Sequence, residues 1–161
     1  MLFLEEDIIS KDGLDLCNQL YKQGKCKEIY LIKIENNSLI YSDERLENFL
    51  KSVIDSTYGN LPVSFINLNV EHPITLNKSK ELIEILKSKN IKSLAILTNA
   101  FHSRRTRLVY QKILEPENIR LYTLTYNTNF DKNNWWQQSD GFRTVVSEYL
   151  KYFYYLVKGY M

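Results

Sequence analysis

The sequence predicts an α/β fold, a three-layer αβα sandwich on a mostly parallel five-stranded sheet. Three observations predict it. Short apolar runs alternate along the chain with segments of helical apolar spacing, the pattern of successive βαβ units. The run Ser93–Leu97 is apolar enough to be a strand covered on both faces. Residues that cap or stop helices fall between the runs, Gly24 and Asp140 among them.

Each element follows from local pattern. Leu2–Leu4 is a short first strand. Gly13–Gln23 carries Leu14, Cys17, Leu20 and Tyr21 at helical spacing, with Gly24 as its stop. Ile29–Ile34 is the second strand. Ser42 or Asp43 caps the next helix, whose Leu46, Phe49, Leu50, Val53 and Ile54 form one apolar stripe. Val63–Leu68 is the third strand. Thr75 or Asn77 opens a helix with Leu82, Ile83, Ile85 and Leu86 inward. Ser93–Leu97 is the fourth strand and is expected at the centre. His102–Leu114 is a helix and Leu121–Tyr126 the fifth strand. Ser139 or Asp140 caps a last helix whose Val145, Val146, Tyr149, Leu150, Phe153 and Tyr154 are expected to face the core.

Composition sets the class. The chain has 161 residues, 44% hydrophobic and 25% charged, which fits one globular domain spanning 1–161. Its 21 basic and 19 acidic residues leave a net charge of +2, so there is no general electrostatic pull toward nucleic acid. The densest basic cluster is Arg104, Arg105 and Arg107. Cys17 and Cys26 match no zinc spacing and read as reduced thiols. His72 and His102, the two histidines, have no second ligand at metal spacing, so no metal is expected. Neither a leader peptide nor a membrane span is legible, and the expectation is a soluble, cytoplasmic protein.

In such folds ligands bind beyond the carboxyl ends of the strands, where the strand order reverses. A strand order of 3-2-1-4-5 is expected. It sets the loop Glu5-Glu6-Asp7 beside the loop after the fourth strand. There, Thr98-Asn99-Ala100-Phe101-His102-Ser103-Arg104-Arg105 runs from strand into helix. A helix start offers free N–H groups and partial positive charge, which suit an anion. His102 and Arg105 are three apart and share a helix face. His102 is the candidate acid–base group. Thr75, Thr98, Asn99, Arg104 and Arg105 are candidate ligand contacts. Of Trp135-Trp136, one is expected to pack under the last helix and the other to rim the pocket. Glu148 falls on the inner face of the last helix and needs a cationic partner, Arg143 or an arginine of the His102 helix. The chain lacks G-x-S-x-G, Walker and G-x-G-x-x-G motifs, and its 5 glycines make no dinucleotide cradle.

The stretch Thr98 to Arg107 resembles the T-S-x-x-H-x-x-R junction of the YdcF/SanA/ElyC-like bacterial family. Trp135 to Tyr149 resembles that family's closing segment, and Thr75 falls where the family has a threonine opening the preceding helix. The resemblance covers roughly Phe3 to Lys158. It implies a Rossmann-like fold with a strand-end pocket built by Thr75, Thr98, His102, Arg105, Trp136 and Glu148. Members are associated with the bacterial envelope, which leaves peripheral association with it open here, and one member is linked to S-adenosylmethionine binding. Family activity is largely unassigned, so the resemblance names neither a cofactor nor a reaction. Many members carry a glycine pair after strand one and another after strand two. This chain reads Glu5-Glu6-Asp7 and Glu35-Asn36-Asn37 there. That leaves open a cationic or sugar-like ligand, or a decayed site. The leading expectation is a domain that binds a small polar ligand, phosphorylated or nucleotide-like, with enzymatic activity and oligomeric state left open. The alternative is a non-catalytic structural or protein-interaction domain with a degenerate pocket.

Overall fold

The computed structural model describes residues 2–4, 10–34, 44–68, 71–126, 130 and 133–161. It is an α/β structure. Strands β1 (Leu2–Leu4), β2 (Ile29–Ile34), β3 (Val63–Leu68), β4 (Ser93–Asn99) and β5 (Arg120–Tyr126) alternate with helices. The helices are α1 (Lys11–Lys22), α2 (Glu44–Tyr58), α3 (Ile74–Ser88), α4 (Ser103–Leu114) and α5 (Ser139–Val157). The strands pair in parallel in the order β3-β2-β1-β4-β5, as the sequence suggested. The middle position belongs to β1 and not to β4. β4 lies inside the sheet between β1 and β5, and coverage on both faces accounts for its apolar run.

The period of two sorts the strand side chains onto two faces. Ile29, Leu31 and Leu97 pack with Leu14 and Cys17 of α1 and Ile54 of α2. Tyr30, Ile32, Leu94 and Ile96 pack with Leu82 and Leu86 of α3 and Tyr110 and Leu114 of α4. Each fully buried leucine or isoleucine here contributes roughly 1.5–3 kcal/mol by leaving water. Burial pushes the Cys17 thiol up to about 12, with a smaller push from nearby Cys26, so Cys17 stays protonated and inert.

Several helix details differ from the sequence reading. Ser10 caps α1, its Oγ accepting the Gly13 N–H at 3.1 Å, and Gly24 (φ +68°) supplies the left-handed turn that ends it. Ser42 and Asp43 lie outside the described residues. Along α2, Phe49 and Val53 are exposed and Ile54 is buried. That helix meets the core through its later turns, where the Tyr58 hydroxyl donates to Asp15 Oδ1 at 2.7 Å. Pro73 takes the cap position of α3. Thr75 and Asn77 do not cap it, because Arg105 occupies the Thr75 hydroxyl and the Asn77 amide donates to the Glu71 carbonyl at 2.9 Å. His102 is the cap position of α4 and not its first residue.

The largest departure is α5. It buries Gly141, Val145 and Tyr155, while Val146, Tyr149, Leu150, Phe153 and Tyr154 are exposed. Tyr155 packs with Leu76 of α3 and Val109 of α4. The helix therefore docks through a different arc from the one its apolar spacing suggested. No helix among the described residues is long and apolar enough to cross a membrane.

Candidate functional site

The site grows from the β4–α4 junction. β4 ends at Asn99, whose Oδ1 accepts the His102 N–H at 2.9 Å. Ser103 Oγ donates back to the Ala100 carbonyl at 2.7 Å. These two local bonds hold the turn, the kind of side-chain-to-backbone closure that Asn and Ser favour outside helices. One helical turn then brings Arg105 back beside His102, with Nη2 at 2.7 Å from Nδ1.

Arg105 is 5% exposed, and every nitrogen of its guanidinium has a partner. Nε donates to Glu148 Oε2 at 3.1 Å, Nη2 to Glu148 Oε1 at 3.2 Å, and Nη1 to Thr75 Oγ1 at 2.9 Å. Its plane lies over the Tyr155 ring, 5.0 Å from the centroid. α3, α4 and α5 thus meet on one cation. The partner the sequence reading required for Glu148 is an arginine of the His102 helix. Arg143 instead makes an exposed pair with Asp140 at 3.4 Å.

Glu148 also accepts from Lys151 Nζ at 2.9 Å and lies 3.0 Å from His102 Nδ1. Burial alone would raise its pKa. The His102 hydrogen bond and the charges of His102 and Arg105 outweigh burial and hold the carboxyl at about 2. The residue is a carboxylate throughout the working pH range.

His102 Nδ1 faces both Glu148 and Arg105, yet one nitrogen has either a hydrogen or a lone pair. With the hydrogen on Nδ1, it donates to Glu148 and leaves Nε2 basic. With the lone pair on Nδ1, it accepts from Arg105 and the hydrogen sits on Nε2. The two tautomers place the hydrogen on opposite nitrogens of a ring that itself lies outside the lining of the neighbouring cavity.

A cavity of about 250 Å³ lies between this junction and α5. Arg105 and Glu148 form part of its wall, with Phe101, Arg104, Trp135 and Tyr152 around them. Arg104 is exposed, lies 4.8 Å over the Tyr152 ring, and has no ion pair among the described residues. The volume has room for one phosphate, sugar or base.

The other expected residues fall in different places. Thr75 is tied to Arg105 and does not line the cavity. Thr98 is fully buried, and its Oγ1 has no hydrogen-bond partner among the described residues. The two tryptophans exchange roles: Trp135 lines the cavity and stacks on Phe142, while Trp136 is 56% exposed and outside the lining. The cause is Gly141, where an added Cβ would strike the Trp135 carbonyl oxygen, so the chain at Trp135 lies tight against α5. His72 is exposed before α3. The loops 5–9 and 35–40, including Glu5, Glu6 and Asp7, lie outside the described residues. Among the described residues no three His, Cys, Asp or Glu side chains group as a metal site.

Tyr152 and Tyr155 are site residues that the sequence reading missed. Their signal was present: they follow Glu148 by four and seven, so all three share one face. No family model matches the chain, and neither a curated protein nor a solved structure matches it.

Proposed function

We propose that the chain is a YdcF/SanA/ElyC-like domain, a Rossmann-like three-layer αβα sandwich. It binds a small polar ligand, phosphorylated or nucleotide-like, where β4 runs into α4. One observation supports this above the rest. Thr75, His102, Arg105 and Glu148, residues that the resemblance picks out from separate stretches, share one hydrogen-bonded network, and two of them wall a cavity.

In this reading the residues divide the work. Arg104, the exposed cation on the cavity, meets the ligand's anionic group, and the uncapped first turn of α4 adds its N–H groups. Arg105 holds Glu148 and His102 in place. If the ligand is turned over, His102 moves the proton. The aromatic rings of Phe101, Trp135 and Tyr152 give a flat ligand surface to stack on.

Thermal unfolding with inorganic phosphate, nucleotides, sugar phosphates and S-adenosylmethionine tests the reading. A ligand at one hundred times its Kd adds about 2.7 kcal/mol of stability. The expected result is stabilisation by at least one compound, reduced in Arg104→Ala and His102→Ala. Stabilisation that both variants retain would put the site elsewhere. No response to any compound favours the second reading, a non-catalytic structural or interaction domain. That reading has its own support, because Arg105 is already fully engaged by protein groups.

A further inference from the structure

The face of α5 turned away from the fold carries an apolar stripe. Phe142, Val146, Tyr149, Phe153 and Leu156 follow one another at spacings of four, three, four and three. At 100° per residue they lie within an arc of about 80°, and Leu150 and Val157 widen it to about 120°. All seven are exposed, from 38% at Val146 to 83% at Val157. No charged residue falls inside the arc. Arg143 borders the arc on one side, with Lys158 and Lys151 further round on the opposite side of the helix, and the docked side with Val145 and Glu148 borders it on the other.

Each of these side chains leaves on the order of 100 Å² outside, so the stripe presents roughly 700 Å² of apolar surface. A monomer's largest apolar patch is usually about 300–600 Å². A stable interface takes about 800 Å² from each partner. The stripe is therefore the size of half an interface. Its four-three repeat is that of side chains fitting between those of a second helix.

We propose that α5 is the interface of a homodimer, its stripe packed on the same stripe of a second copy about a two-fold axis. The proposal stands independently of what the cavity binds. It has a consequence for that cavity, because Tyr149 both lines it and sits mid-stripe. The second copy would then close over the cavity rim.

Sedimentation equilibrium of the whole chain tests this, beside Leu150→Glu, Phe153→Glu and Val157→Glu. These positions face solvent, so circular dichroism and melting should show each variant folded, and Val157, at the last turn, disturbs least. Interfaces of this size hold at micromolar affinity or better, so a dimer is expected above about 10 μM. Each glutamate should weaken it at least about tenfold. A wild-type monomer in that range overturns the proposal. A dimer unchanged in all three variants overturns it too, by placing the contact on another face. Monomer that instead pellets with phosphatidylglycerol vesicles through these residues would make the stripe a membrane surface and not a dimer interface.

Discussion

Arg105 forks onto Glu148, with Nε to Oε2 at 3.1 Å and Nη2 to Oε1 at 3.2 Å, and so fastens α4 to α5. The planar guanidinium matches the planar carboxylate in a way that lysine would not. Both side chains are largely out of water, 6% and 14% exposed, so solvent cannot replace either partner.

Removal of the carboxylate charge should therefore be costly. Glu148→Gln leaves the Arg105 cation buried with weaker acceptors. The expected loss is about 3 kcal/mol, the scale for breaking one side of a buried pair. Urea unfolding measures it; a loss under about 0.5 kcal/mol would show the pair to be dispensable.

The same carboxylate sets an acid limit. Its folded pKa of about 2 lies below its ordinary 4.5, so the folded chain holds that proton more weakly than the unfolded chain. The stabilisation is complete above about 4.5 and fades as pH falls toward about 2, and it amounts to on the order of 3 kcal/mol. Urea midpoints followed down this window should fall in the wild type and fall much less in Glu148→Gln. Parallel curves would assign the acid sensitivity to other groups.

The adjacent arginines should separate cleanly. Arg104 is exposed, so Arg104→Ala should change stability by less than about 0.5 kcal/mol. Arg105→Ala leaves the largely buried Glu148 to Lys151 and His102 and uncovers Tyr155, with an expected loss of about 3 kcal/mol. Thermal melts of the two variants side by side decide this, and equal losses would contradict the assigned roles.

Gly141 makes a fourth test. The α-hydrogen that alanine would replace faces the Trp135 carbonyl, so the methyl of Gly141→Ala must push against the Trp135 backbone. The expected cost is about 2 kcal/mol, with a shift in tryptophan emission as Trp135 leaves its stack on Phe142. Unchanged emission and stability would mean that the contact relaxes freely.

Much of this was readable from residue order alone, and the misses share a cause. The limits of β1, β2 and β3 fall where short apolar runs begin and end, because strand residues report their environment locally. Glu148 announced its need for a cation by its phase on α5. Helix faces were harder. α5 is apolar over two arcs, one holding Gly141, Val145 and Tyr155 and the other Phe142, Tyr149 and Phe153. Periodicity says which sides are apolar and is silent about which is covered. The Arg105–Thr75 bond spans thirty positions of sequence, and only the packing of α3 on α4 discloses it. Trp135 and Trp136 are indistinguishable until the tightness at Gly141 is known.

Residue Leu2 pairs with Ile29 on one side and with Ala95 on the other. The β2–β3 and β4–β5 pairs each join neighbouring stretches, but uniting them needs a three-residue strand to meet a segment more than ninety positions away. Contacts so distant in sequence raise contact order and slow the search for the native state. Until β1 is seated, each half offers an open strand edge, a template for pairing with other chains. The seam that completes this protein is also where its refolding is most exposed to aggregation.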